Sequence, residues 1–139
     1  MRNSRSGVLG AILVALALLA AACGSGEDSG TKEGPTITVG SANFPENALV
    51  AEIYAQVLEN DGYPVERNLN IGQREVYAPA LESGELDLVP EYVGTALSVV
   101  FGGSPTADSE ATTEALREAW APAGISVLDP APAQDKNGV

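Results

Sequence analysis

The chain has 139 residues, 45% of them hydrophobic, which is enough for one small domain, and its formal net charge at pH 7 is −12. This acidity repels phosphates, so nucleic acid is excluded as a partner. The sequence has no histidine and one cysteine, Cys23, which excludes Ser–His–Asp and Cys–His catalytic sites, Cys/His zinc sites and an intramolecular disulfide. We therefore expect no enzyme activity and no cofactor.

The N-terminus is typical of an exported lipoprotein. Two arginines precede an apolar run from Val8 to Ala22, and its 15 residues are fewer than the roughly 20 of a bilayer span. Small residues then lead into Cys23, although Ala20 stands where a lipobox usually has Leu or Val. Residues 1–22 are predicted to be a signal peptide, and Cys23 the lipidated N-terminus on the extracytoplasmic face of the cell membrane. The alternative is an ordinary signal peptide cleaved elsewhere.

Residues 23–35 are rich in Gly, Ser and charged side chains and contain almost no apolar ones, so they are predicted to be a flexible tether that does not pack. Residues 36–139 are predicted to be a single folded lobe. Its expected elements, in chain order, are strand 37–41, a helix from a cap at Asn43 to Asp61, strand 65–71, helix 74–83, strand 86–89, helix 91–101, helix 106–120 capped by Asp108 or Ser109, and strand 125–128.

This alternation of strands and helices predicts an α/β fold with a mainly parallel sheet and a ligand site beyond the carboxyl ends of the strands. Helical spacing predicts that Tyr54 lies on the buried face of the first helix and that Trp120 lies in the core or on a lobe surface. Tyr63 is expected to pack at a turn, and Tyr77 is left open between core and ligand. The other apolar residues of the first helix face are Leu49, Val50, Ile53, Val57 and Leu58.

The segment from Ile37 to Leu97 contains the motifs GSANFPE, AEIYAQVLENDGY, the RE before PALESGELDL, and PEYVGT. In combination they resemble the first lobe of the substrate-binding proteins of osmoprotectant ABC importers, which bind glycine betaine, choline, carnitine or proline betaine. The resemblance covers residues 36–139. It implies one lobe of a periplasmic-binding-protein-like, type II clamshell, ending before the second lobe. It also implies that the protein delivers a quaternary ammonium ligand to an ABC permease.

The resemblance also implies a ligand site. A quaternary ammonium donates no hydrogen bond and is best held against aromatic faces, whereas a ligand carboxylate fits a helix N-terminus. Tyr92 corresponds to a cage tyrosine and Thr95 to a polar ligand contact, and Asn43 lies beside the same crevice. Asp135 would suit a cationic ligand such as choline.

The sequence departs from the family pattern at two positions. Ala42 replaces a Lys or Gln, so a polar group that reaches the cleft is expected to be missing, and Asn137 replaces a second cage tyrosine. The alternatives to a transport function are a lipid-anchored sensory or interaction domain and a truncated fragment that no longer binds ligand.

Overall fold

The computed structural model describes residues 31–133. The predicted signal peptide, the predicted lipidation site Cys23, and the positions Asp135 and Asn137 lie outside the described residues. The described elements are β1 (Ile37–Gly40), α1 (Pro45–Asn60), β2 (Val65–Asn68), α2 (Arg74–Glu82), α3 (Val93–Phe101), α4 (Ser109–Trp120) and a 3₁₀ turn at Ala121–Ala123.

The sheet is parallel, which confirms the predicted α/β class. β1 pairs with β2 from Ile37 opposite Val65 onward, and on its other edge Val39 forms a parallel bridge with Leu88. The strand expected at 86–89 is reduced to this bridge. The reason is local: the Asp87 carboxylate accepts the hydrogen bond from the Thr38 N–H at 2.8 Å, a place that a backbone carbonyl would take in a continuing ladder.

The strand expected at 125–128 is absent from the described part of the chain. These residues instead lie against α4, where Arg117 donates from Nε to the Val127 carbonyl and from Nη2 to the Asp129 carboxylate. Ile125 and Val127 are half-buried against the α3–α4 cluster described below. Residues 125–128 are therefore held on α4 by apolar side chains and by the Arg117 guanidinium, without pairing to another strand.

α1 begins differently from the expectation. Its N-cap residue is Phe44, which makes no side-chain cap, so the predicted cap at Asn43 is wrong. Pro45 supplies the first helical residue and removes one of the N–H groups that a cap would satisfy. The helix ends as predicted: the Asp61 N–H bonds to the Val57 carbonyl, and Gly62 takes a φ of +89°, which favours glycine.

The buried face of α1 is narrow and made of small side chains. Ala51 and Ala55 are fully buried against β1, one turn apart, because their size allows the helix to approach the short sheet closely. Of the predicted apolar face only Leu58 packs into this cluster. Tyr54 is 40% exposed, so its assignment to the core was wrong. The same assignment was wrong for three residues that are even more exposed: Leu49 at 61%, Ile53 at 50% and Val57 at 62%.

α3 and α4 pack around a second cluster of buried residues, namely Ala96, Leu97, Leu116 and Trp120. Trp120 is 4% exposed and lies edge-on to the Phe101 ring at 5.4 Å, so of its two predicted locations, core or lobe surface, the structure shows the core. Asp108 caps α4, since its carboxylate accepts from the N–H groups of Glu110 and Ala111. That cap was one of the two predicted.

Part of the predicted tether contacts the fold. The Lys32 N–H donates to the Gly62 carbonyl at 2.8 Å, its ammonium group pairs with Asp61, and it lies 3.9 Å from the centre of the Tyr63 ring. The expectation that no residue of 23–35 packs is therefore wrong for Lys32, whereas Tyr63 does pack at its turn. Between residues 31 and 133, no helix combines the length and the hydropathy that crossing a bilayer requires.

Candidate functional site

The loops that follow β1 and β2 are joined at the carboxyl end of the sheet. The Asn43 N–H donates to the Gly72 carbonyl at 3.0 Å, and the Asn43 side-chain oxygen accepts from Gln73 Nε2 at 2.7 Å. Ser41, buried at the end of β1, accepts from the Asn70 N–H through its hydroxyl oxygen at 2.8 Å. Asn43 itself is exposed, so it lies at the rim of this joined pair of loops.

A third segment reaches the same place through an aromatic contact. The rings of Phe44 and Tyr92 are stacked, with centroids 6.1 Å apart and planes inclined by 29°. Tyr92 is half-buried and is the N-cap residue of α3, and Thr95 is exposed in the first turn of that helix. The structure therefore brings Asn43, Tyr92 and Thr95 to one end of the sheet, as the strand-end rule predicted.

Phe44 is the residue that the sequence reasoning missed at this site. Apolar side chains of this type usually lie in the core, but Phe44 is only partly buried, and its ring is one of the two in the aromatic pair. The available signal was its position, directly after Asn43 in a strand-to-helix loop and before the proline that opens α1.

Three helices, α1, α2 and α3, begin at this end of the sheet, and none of them has a side-chain cap. The first N–H groups of each helix lack intrahelical partners, and the positive end of each helix dipole lies there. This arrangement favours a ligand carboxylate beside the aromatic pair, which favours a diffuse cation. Together the two features match the two ends of a betaine.

A largely buried ion pair holds the backbone at Tyr92. One oxygen of Glu91 accepts from Arg74 Nη2 at 2.5 Å and from the Tyr92 N–H at 2.7 Å. The side chains of Arg74 and Glu91 are 12% and 11% exposed. Burial raises the pKa of the Glu91 carboxyl above its ordinary value, against the opposing effects of Arg74 and the Tyr92 N–H. Within residues 31–133, the second Glu91 oxygen and Arg74 Nε have no hydrogen-bond partner.

Two other positions can be placed relative to this site. Ala42 is buried in a cluster with Tyr77 and Leu86, so the position that carries Lys or Gln in the family pattern faces the core of this chain. Ala42 brings no polar group to this end of the sheet, and its effect on the cleft stays a prediction. Tyr77, which the sequence left open, is also a core residue, and its hydroxyl has no partner in the described part of the chain.

A cavity of about 290 Å³ lies between α2 and α3, and among its lining residues are Arg74, Glu82 and Phe101. It includes none of Asn43, Tyr92 and Thr95, so it is separate from the candidate site. Among the described residues, no group of three or more carboxylate or cysteine side chains is placed to hold a metal ion.

Comparison with known proteins identifies the class to which this chain belongs. The family model described as the substrate-binding domain of an ABC-type glycine betaine transport system matches residues 35–139. The chain belongs to this family, which is a family of transport substrate-binding domains and not of enzymes.

Individual relatives are similar over parts of their length. The glycine betaine-binding protein YehZ of Escherichia coli is 43% identical over 58 residues, which are 42% of this chain and 19% of YehZ. A glycine-betaine-binding protein of Pseudomonas aeruginosa is 30% identical over 112 residues, 81% of this chain and 36% of that protein. The solved structure of apo YehZ superimposes with a TM-score of 0.57 at 30% identity, covering 64% of this chain and 32% of that one. The chain thus spans about a third or less of the length of these relatives.

Proposed function

We propose that this chain is the ligand-binding lobe of a lipid-anchored, extracytoplasmic substrate-binding protein. It captures quaternary ammonium osmoprotectants such as glycine betaine or choline and delivers them to the permease of an ABC importer. Family membership supports the transport role, and the names of the relatives support the ligand class. The observation that carries the proposal is the stacked pair of Phe44 and Tyr92 beside three helix starts without side-chain caps.

In this proposal the ligand cation lies against the aromatic surface of Tyr92 and Phe44. Thr95 and Asn43 orient its polar end, and Asp135 adds a negative charge that suits choline. The net charge of −12 supports this assignment, because an acidic surface raises the local concentration of a cationic ligand. The short polar side chains at the rim leave the helix N-termini accessible to the carboxylate of a betaine.

The test is a tyrosine series on the complete gene product, titrated with choline and glycine betaine by calorimetry. A desolvated cation–π contact is worth about 2 kcal/mol, so Tyr92→Ala should weaken binding by about thirtyfold. Tyr92→Phe should lose far less, because the ring face remains. Tyr54→Ala is the matched control, since Tyr54 is an exposed tyrosine on the outer side of α1. Equal losses for Tyr92→Phe and Tyr92→Ala would show that the hydroxyl, not the ring, binds the ligand.

The anchoring proposal is tested separately through Cys23. The diacylglyceryl group usual for bacterial lipoproteins provides the two acyl chains that stable anchoring requires. Cys23→Ala should therefore release the protein into the medium or leave an unprocessed precursor, as measured by fractionation and immunoblotting. Ser25→Ala, two residues further on, is the control and should remain with the membranes. Mature-sized Cys23→Ala protein in the membrane fraction would contradict lipidation at this residue.

A further inference from the structure

One buried side chain joins two of the loops that form the candidate site. Asn47 is the third residue of α1 and is 4% exposed. Its side-chain oxygen accepts from the Ala42 N–H at 2.7 Å, and its side-chain nitrogen donates to the Pro90 carbonyl at 2.7 Å. Ala42 immediately precedes Asn43, and Pro90 lies two residues before Tyr92.

Both backbone groups that Asn47 contacts belong to buried residues, Ala42 and Pro90. A buried N–H or carbonyl without a partner is costly, so the amide of Asn47 fixes the separation of the two loops. A primary amide suits this place because it offers a donor and an acceptor within one short side chain. An aspartate carboxylate could accept from Ala42 but would face the Pro90 oxygen without a proton to donate.

We propose that Asn47 is a positioning residue for ligand binding: it holds the loop of Asn43 and Phe44 against the loop of Pro90 and Tyr92, so that the two aromatic rings stack. The inference rests on the proposed function, because it assigns a role at the proposed ligand site. Asn47 itself does not touch the ligand. Unlike the exposed bond between Gln73 and Asn43, both of its bonds are shielded from water and are therefore not exchanged for water.

The decisive variant is Asn47→Asp in the complete gene product, titrated with choline from about pH 4.5 to about pH 8. At the upper end the new carboxylate repels the Pro90 oxygen, and choline affinity should fall about tenfold. As the pH falls, the carboxyl takes up a proton, donates to Pro90 and still accepts from Ala42, so affinity should return to within about twofold of wild type. Choline keeps its charge throughout, so the ligand does not titrate.

Other titratable groups near the bridge are Glu46, adjacent on α1, and Glu91, next to Pro90. They are present in wild type as well, so the ratio of variant to wild-type affinity at each pH isolates position 47. Asn60→Asp makes the same chemical change at the exposed last residue of α1 and is the matched control. Its ratio should stay near one at every pH.

A ligand-independent measurement separates this inference from the proposed function. Nuclear Overhauser contacts between the rings of Phe44 and Tyr92 should be present in wild type and lost in folded Asn47→Ala. Protection of the Ala42 amide from hydrogen exchange should also fall in Asn47→Ala. Lost ring contacts in a protein whose wild type binds no choline would support the positioning role and refute the proposed function. Should Asn47→Ala not fold, Asn47→Asp at low pH reproduces both bonds and keeps the test valid.

The inference is overturned if folded Asn47→Asp at about pH 8 retains both the ring contacts and wild-type choline affinity. It is also overturned if affinity falls but does not recover on acidification while the ring contacts persist. That second result would mean that the substitution acts on the ligand directly, not through the loops.

Discussion

Replacing Arg74 by methionine should test how strongly the largely buried ion pair of Arg74 and Glu91 supports the site. The substitution keeps much of the side-chain volume but removes the only charged partner of Glu91 in the described structure. Removing one member of a buried pair typically costs about 3–5 kcal/mol, because the other charge remains buried. The Arg74 and Glu91 side chains are 12% and 11% exposed, and Glu91 keeps the Tyr92 N–H, so the lower end, about 3 kcal/mol, is expected for Arg74→Met.

The cost of Arg74→Met should depend on pH with a definite sign. Burial already raises the pKa of Glu91 in the folded protein, so the folded state holds this proton to higher pH than the unfolded chain does. The contribution of Glu91 to stability is therefore full below its ordinary pKa and is lost as pH rises through the folded pKa. Without Arg74, which opposes that rise, the pKa of Glu91 moves higher still. Arg74→Met should be most destabilising near neutral pH and least destabilising in mild acid.

The assay is urea denaturation at about pH 7.5 and about pH 4.5, followed by far-UV circular dichroism and Trp120 fluorescence. Glu91→Gln provides the contrast, because it strands a guanidinium that does not titrate, so its cost should change little with pH. The double variant Arg74→Met, Glu91→Gln should recover most of the loss. A pH-independent cost for Arg74→Met, or a cost below about 1 kcal/mol at the higher pH, would refute the account of a charge stranded by burial.

The remaining predictions concern three other parts of the chain. Hydrogen bonds from Arg67 lower the pKa of Glu52 and Glu59, so this pairing stabilises the fold above their ordinary pKa and the stabilisation is lost as the pH falls through the lowered values. Arg67→Ala should therefore lower the melting temperature at neutral pH, and the difference from wild type should shrink in acid. Leu116→Ala should cost about 2–5 kcal/mol in chemical denaturation because Leu116 is 1% exposed between α3 and α4. Residues 24–139 alone should bind choline weakly or not at all, since a solvent-open cation–π contact is worth only about 0.5–1 kcal/mol; saturable micromolar binding in calorimetry would contradict this.

The sequence was sufficient for the helices and for β1 because those depend on local signals. The Asp108 cap, the stop at Gly62 and the β-branched run of β1 each act within a few residues. The strands expected at 86–89 and 125–128 depend on something non-local, namely a free backbone edge to pair with. At 86–89 a carboxylate occupies that edge, and at 125–128 packing on α4 takes the place of strand pairing. Hydrophobic periodicity indicates neither outcome.

The wrong buried face of α1 has a related cause. Periodicity marks which residues share a side of a helix, and the largest apolar residues were taken as the buried side. The sheet described here is only two strands and one bridge wide, so it covers only a narrow part of α1, the part that carries Ala51 and Ala55. Close approach through small side chains outweighs the burial of Ile53, because larger side chains at the contact would hold the helix away from β1.

The candidate site shows why a combination of motifs predicted more than any single residue did. Phe44 stacks on Tyr92, Asn47 bonds to Pro90, and Arg74 pairs with Glu91, so each contact joins the motif PEYVGT to another one. The loop of PEYVGT is therefore held from two sides. One side is GSANFPE with the asparagine that follows it, and the other is the RE before PAL. These supports lie more than 15 residues away along the chain, so a propensity or a spacing within one motif carries no trace of them. Two of the three contacts are polar and shielded from most of the solvent, and such contacts require a specific partner where apolar packing accepts many. A substitution in either supporting motif should therefore alter the position of Tyr92.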